Sequence, residues 1–312
     1  MDKNHISVRE LQQRLGSQRT HVIAKVGSEI RMCAGTFLRK QGFVEINPVV
    51  ISPLTDPLHH ETLDGSISYL NYRYQLTRSM IFHKHIALLG LEKIFIFSPN
   101  VRLEPPRYAT TNKHLIEFTQ IDVEIRNGTR EDTIDLAENM FIEILGHARD
   151  YCFQELKYLD RMVTVPKKPF KRIKYLDAQR EHGVDFESHL SSDAREPFWI
   201  VDFPIEAREF YDREYEDQPG ILCDMDLVYP EGYGEASSGG EREYTYERIT
   251  ERISKTDLHP HDYGWYLKLA KIGLPPCAGF GIGVERLTRY ICGLSHVAEA
   301  TIFPKVPGTW TI

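Results

Sequence analysis

Three alternating glycines lead into an arginine in Gly279-Phe280-Gly281-Ile282-Gly283-Val284-Glu285-Arg286-Leu287, and a helix-like pattern, RLTRYICGL, follows at once. Glycine lets a ligand approach the backbone, and one rigid guanidinium can meet a phosphate, so the spacing suits a nucleotide. The same pattern also serves as a plain strand-to-helix connection. A second segment begins at Arg102-Leu103-Glu104, runs through a polar loop to Lys113, and resumes as His114-Leu115-Ile116-Glu117-Phe118-Thr119-Gln120-Ile121-Asp122-Val123-Glu124. Read as a strand, it carries Phe118, Gln120, Asp122 and Glu124 on one side and Thr119, Ile121 and Val123 on the other. An aromatic ring, an amide and two carboxylates do not make a core face, since buried carboxylates are costly without partners; they make a site face.

The elements that must position these residues can be read along the chain. Residues 7 to 15 suggest a short lead helix and 20 to 41 a longer one ending before Gly42; EINPVVIS reads as a strand that Pro48 places at an edge or interface. Residues 52 to 76 read as a loop-rich insert, 78 to 90 as a helix and 93 to 98 as a strand entering the strand–loop–strand segment. A long helix is expected from about 131 to 150, and an irregular excursion from about 160 to 195, whose basic run KKPFKRIKY reads as a solvated face. FWIVDFP, DMDLVYP and the GYGEASSGG turn bring the chain back to the sheet, with a helix over 240 to 254.

Composition bounds the rest. With 312 residues, 41% hydrophobic and 27% charged, the chain can bury a large core and suits one α+β domain. No run of eighteen apolar residues and no signal-peptide core is present, so the expectation is a cytoplasmic protein with no membrane partner. Cys33, Cys152, Cys223, Cys277 and Cys292 lack CxxC spacing and read as reduced core thiols; His59-His60-Glu61 and His83-x-His85 make no convincing zinc arrangement. A net charge of -7 counts mildly against a polyanionic RNA partner, because phosphate contacts supply most of such affinity.

RxE, a loop and EFTQIDVE, followed far downstream by GxGxGxERL, resemble motifs 2 and 3 of the class II aminoacyl-tRNA synthetases in their aspartate and asparagine branch. GFVEINPVV, residues 42 to 50, resembles the branch's motif 1, a dimer element, and residues 232 to 243, GYGEASSGGERE, resemble the asparaginyl GxGExxGGxxRE. The resemblance implies a catalytic core of mostly antiparallel sheet flanked by helices, a lead segment over 1 to 24, a catalytic domain over 25 to 312 and a homodimer. It also implies that the anticodon-binding OB barrel expected ahead of motif 1 is missing. SMIFHKHIALLGLEKIFIFSPNVRLE, EPFWIVDFP, EFYDRE and IFPKVPGTW are most similar to the archaeal-type asparagine synthetase, a paralogue of asparaginyl-tRNA synthetase.

By that resemblance Arg102 meets the ATP α-phosphate, Glu104 the adenine amino group, and Phe118 stacks on the ring. Arg286 holds the γ-phosphate end, Gly281 and Gly283 leave room for ribose and base, and His114 sits where the family contacts nucleotide. Asp226 and Glu235 resemble the carboxylate pair that holds Mg²⁺, with Asp224 two residues from Asp226 as the competing choice. Lys84 and Arg242 match the two cations aimed at a substrate carboxylate; Asp122, with Gln120 and Ser79, matches the ammonium-binding side.

The resulting expectation is an ATP-dependent asparagine synthetase that takes aspartate and ammonia. It activates the side-chain carboxylate as β-aspartyl-AMP and releases asparagine, AMP and pyrophosphate, with tRNA an unlikely partner. Lys84 and Arg242 would then grip the α-carboxylate of a reversed aspartate, and Asp122, Glu241 or another nearby carboxylate would accept a proton from ammonium. Two alternatives stay open: the same activation with a different amine acceptor, and a tRNA-acting or regulatory synthetase paralogue.

Overall fold

The computed structural model describes residues 7–311. The chain opens with α1 (Val8–Leu15) and α2 (Gln18–Lys40), then the two-residue strands β1 (Val44–Glu45) and β2 (Ile51–Ser52). A hairpin of β3 (Ser66–Tyr69) and β4 (Tyr72–Leu76) precedes α3 (Ile81–Ala87). The long strands β5 (Lys93–Val101) and β6 (Glu117–Arg126) follow, then α4 (Arg130–Tyr151) and α5 (Phe153–Tyr158). β7 (Lys171–Lys174), α6 (Tyr175–His182), α7 (Phe186–Asp193), β8 (Phe198–Val201), β9 (Asp224–Tyr229) and β10 (Gly234–Arg242) complete the middle. The last elements are α8 (Tyr246–Ser254), α9 (Gly264–Gly273), β11 (Cys277–Gly283) and α10 (Val284–Cys292).

Eight strands form one sheet in the order β1-β5-β6-β11-β10-β9-β8-β7, antiparallel throughout its centre with a parallel pair at each edge. This is the α+β, mostly antiparallel architecture expected. Alternation decides the two faces. Ile121 and Val123 of β6 and Phe280 and Ile282 of β11 point into a core completed by α2, α4 and α10, whose Ile30, Leu38, Phe141, Ile144, Leu287 and Ile291 are buried. The opposite face keeps Gln120 and Asp122 of β6 and Gly281 of β11 for a cleft, behind which Phe82, Phe210, Tyr211 and Tyr266 pack in a second cluster. α4 is started by a capping box in which the Thr129 side chain accepts from the Asp132 N–H and the Asp132 carboxylate from the Thr129 N–H.

Four local expectations are corrected. EINPVVIS is no single strand: it splits into β1, on the large sheet, and β2, in a separate three-stranded sheet with β4 and β3. Residues 52 to 76 hold the β3–β4 hairpin. The stretch 160 to 195 contains β7, α6 and α7, because Phe186 and Ala178 bury against Phe198 and Val228 and give those short helices a tertiary reason to form. Residues 240 to 242 belong to β10, paired with β11 and β9, so the helix expected from 240 starts at Tyr246.

Candidate active site

Two cavities open side by side on the site face of the sheet. The larger, about 480 Å³, is bounded by Arg102, Glu104, His114, Phe118, Gly283 and Arg286, among others. The smaller, about 230 Å³, reaches Ser79, Lys84, Asp122, Arg208, Glu209 and Arg242. His60, Arg102, Gln120, Glu235 and Gly281 line both, so the two cavities meet at these five residues. Almost every residue singled out in the sequence therefore converges on one cleft, although they span residues 79 to 286.

Arg102 leaves β5 directly after Val101. Its Nε donates to the Arg78 carbonyl at 3.1 Å and its guanidinium lies 5.1 Å from the Phe118 ring centre. Arg286, on the first turn of α10, is tied to the opposite wall: Nε donates to the Lys113 carbonyl at 3.2 Å and Nη1 sits 3.3 Å from Glu235. The adjacent Glu285 accepts the Thr119 N–H with both oxygens, 3.1 and 2.9 Å, which locks α10 onto β6. Buried Glu104 accepts from or pairs with His60 at 3.1 Å; burial pushes its carboxyl up, but the hydrogen bond to His60 and the charges of His114 and Arg102 hold it below the usual range. His114 is driven down to about 4, chiefly by burial and further by Arg286 and Lys113, so it is a neutral imidazole near pH 7.

The small cavity is charged but internally balanced. Lys84 Nζ contacts Asp122 at 3.0 Å and Glu124 at 3.2 Å; Arg242 binds Glu124 at 3.0 Å, Asp212 at 3.1 Å and the Gly279 carbonyl at 3.0 Å. One buried carboxylate, Glu124, thus joins both cations, and their combined charge holds it ionised against its burial. The second oxygen of Asp122 is buried without a hydrogen bond on the cavity wall.

Asp226 faces Ser238 across the β9–β10 register, pairs with Arg208 at 2.7 Å, and is raised by burial and by the neighbouring charge of Glu235. Asp224, the alternative, is committed to Arg208 at 2.8 Å and to the Phe203 N–H at 3.0 Å. Hard oxygen donors from two segments, with Asp226 feeling the charge of Glu235, fit a magnesium ion that completes its shell with phosphate oxygens and water. Among the described residues no group of three or more His, Cys, Asp or Glu side chains could hold a metal by itself. His83 bonds Ser52, His85 lies between Tyr266 and the Pro275 carbonyl, and all five cysteines are buried and unpaired.

Several site residues escaped the sequence reading. Arg208 stacks on Phe203, 3.8 Å from the ring centre, while pairing with Asp224 and Asp226. Glu209 and Asp56 line the small cavity, and the Tyr211 hydroxyl donates to Asp56. Glu187 of α7 comes to the β10 start and lies 3.9 Å from Lys113. None follows a local pattern; only the EAREF and HHET clusters of charge hint at them.

The sequence profile of the family described as tRNA synthetases class II (D, K and N) matches residues 4–307. The asparagine–tRNA ligase of Lactobacillus delbrueckii is 31% identical over 94% of this chain and 70% of its own length; that of Pyrococcus abyssi is 28% identical over 98% and 72%. The asparaginyl-tRNA synthetase of Pyrococcus horikoshii, solved with asparaginyl-adenylate, superposes with a TM-score of 0.89 at 27% identity, covering 98% of this chain and 74% of that one. The chain belongs to the class II tRNA synthetases of this group.

These relatives overturn the expectation of ammonia-dependent asparagine synthesis, and with it the expectation that tRNA is an unlikely partner: the relatives named here, matched over nearly the whole chain, are tRNA ligases. The geometry agrees with the correction. A reversed aspartate requires Lys84 and Arg242 as free partners for its α-carboxylate, whereas both are already neutralised by Asp122, Glu124 and Asp212. The acidic net charge misled because it sums over the whole surface, whereas phosphate recognition depends on local cations.

Proposed function

We propose that this chain activates asparagine with ATP and transfers the acyl group to tRNA. The observation that carries the reading is the junction of the two cavities at His60, Arg102, Gln120, Glu235 and Gly281, which sets a nucleotide site directly against a small polar one. In the first step the α-carboxylate attacks the α-phosphorus and pyrophosphate leaves; in the second a terminal tRNA hydroxyl attacks the acyl carbon and AMP leaves. Arg102 stands at the junction, where charge grows on the α-phosphate, and its terminal nitrogens are free of hydrogen bonds and ion pairs among the described residues.

Phe118 offers its ring and Glu104 its carboxylate to the base, with His114 beside them, while Gly283 and Gly281 keep the floor open and Arg286 meets the terminal phosphates. Asp226 and Glu235 would hold Mg²⁺, which neutralises phosphate charge when bound. Asp122, with its unpartnered oxygen, Ser79 and Gln120 receive the substrate ammonium. Lys84 and Arg242 meet the side chain, and the balance of their charges supports a neutral amide there. A homodimer is part of the same reading, supported by the apolar side chains of Met32, Val44, Val50 and Ile51 exposed near the motif 1 segment.

Amino-acid-dependent exchange of pyrophosphate into ATP, followed by charging of tRNA, tests the proposal. Exchange with asparagine and an acid-precipitable asparaginyl product are expected. Exchange with aspartate alone would reassign the amino acid, and exchange without any tRNA product would refute the second step.

A further inference from the structure

The loop between β5 and β6 brings Glu104, Tyr108, Thr111, Lys113 and His114 to the wall of the larger cavity. Its centre is one 3₁₀ turn, Pro106–Thr111, that buries no side chain and ends at Asn112, whose φ of 59° is left-handed. A turn this short does not hold itself in place, so its position has to come from neighbouring segments.

The end of the chain is such a neighbour. After α10, a second 3₁₀ turn, Val297–Ala300, leads into residues 301 to 308, and this stretch meets the loop at three points. The Val297 N–H donates to the Asn112 carbonyl at 3.0 Å, and the Ile116 N–H donates to the Lys305 carbonyl at 2.7 Å. Gly308, at φ 73°, lies so close to Pro106 that a Cβ there would stand 2.8 Å from the proline Cβ. Val297 is itself buried on the cavity wall, and the buried Pro304 and Pro307 fix the backbone between the contacts. This stretch is in turn tied to the other end of the chain. Arg14 of α1 donates through Nη2 to the carbonyls of Ala298 and Thr301, both at 2.6 Å, so one guanidinium pins both ends of the Val297–Ala300 turn. α1 buries no side chain, and the nearby Arg19–Glu299 pair at 2.9 Å is a surface ion pair that adds little.

We propose that residues 297–308 are a strap that sets the β5–β6 loop for ATP, and that Arg14 is the positioning residue that holds the strap. The inference rests on the ATP-activation reading and adds the device that orders the nucleotide side of the site before the nucleotide arrives. A loose loop would be ordered by ATP itself, which weakens ATP binding and leaves the later step unchanged. No residue of 105–116 or 297–308 lines the small cavity, so loosening the strap acts on ATP and spares the amino acid.

The test uses Arg14→Ala and Gly308→Ala in the full chain, which loosen the strap from opposite ends. In asparagine-dependent pyrophosphate exchange, KM for ATP should rise about tenfold in each, with KM for asparagine within twofold and kcat within threefold of wild type. Amide hydrogen exchange without nucleotide gives a readout that needs no turnover: the Ile116 and Val297 amides should exchange about tenfold faster in Arg14→Ala. Faster exchange at these amides, with weaker calorimetric binding of a non-hydrolysable ATP analogue in a protein that activates no asparagine, would uphold the strap while the functional reading fails. Wild-type exchange at both amides and an unchanged KM for ATP in both variants would overturn it. A fall in kcat with both KM values unchanged would also overturn it, since that is what a merely destabilised fold gives.

Discussion

Replacing each glycine of β11 by alanine separates what folding demands from what chemistry demands, because the added methyl meets a different neighbour at each position. At Gly279 a Cβ would stand 2.1 Å from the Val123 carbonyl oxygen and 2.3 Å from Glu124 Oε2, so the β6–β11 pair must separate or buried Glu124 must leave Arg242. A cost above roughly 4 kcal/mol is expected, beyond ordinary overpacking, and the variant should fail to fold at 37 °C. At Gly281 the nearest atoms are Asp122 Oδ1 at 2.9 Å and Gln120 Nε2 at 3.1 Å, both side-chain ends. They can give, at roughly 1–3 kcal/mol of stability, and at roughly 2 °C per kcal/mol the melting temperature should fall by only a few degrees. The displacement nevertheless moves Asp122 off Lys84 and fills the junction of the two cavities. Misplacement on the order of 1 Å there should cost about 100-fold in kcat/KM for pyrophosphate exchange. At Gly283 the methyl meets only Arg286 side-chain carbons at 3.7–3.8 Å, an ordinary contact, so stability should change by less than about 1 kcal/mol. Circular-dichroism melts and exchange kinetics on the three variants give the order directly. A Gly281→Ala protein with wild-type exchange, or a Gly279→Ala protein that melts like wild type, would refute the placement of β11 against β6 and the cleft.

Arg102→Ala should lose about 10²–10³ in kcat for adenylate formation, as for other preorganised charge contacts, with a melt within a few degrees of wild type; near-normal exchange would show that the α-phosphate lies elsewhere. Glu209 supplies the pH dependence: burial, with the charges of Asp56 and Asp212, pushes its carboxyl from 4.5 up to about 7. Its ionised form adds a negative charge to the wall of the small cavity as pH rises through about 7, so KM for an amino acid whose ammonium binds beside it at Asp122 should fall over that window. Because the folded value is raised, wild-type stability declines as pH climbs from about 4.5 to about 7. Glu209→Gln should flatten both profiles, and unchanged profiles in that variant would remove Glu209 from the cavity's titration.

What the sequence determined is local and periodic. The period of two in Glu117–Arg126 assigned Ile121 and Val123 to the core and Phe118, Gln120 and Asp122 to the cleft, because successive strand side chains must point to opposite faces. The alternating glycines of Cys277–Gly283 likewise marked a strand that lies close against its neighbours, and the arginine after it reached the larger cavity. Tertiary structure alone decided how the charges pair. That Lys84 and Arg242 share Glu124, that Arg208 bridges Asp224 and Asp226, and that α7 carries Glu187 to the same site are consequences of strand order across eight strands. A charged side chain reads alike in sequence whether it is free or neutralised; its state depends on partners far away along the chain, 118 residues for Arg242 and Glu124. Two cations that looked available for a substrate carboxylate are, once folded, already satisfied, and burial makes leaving them unpaired too costly for the fold to permit anything else.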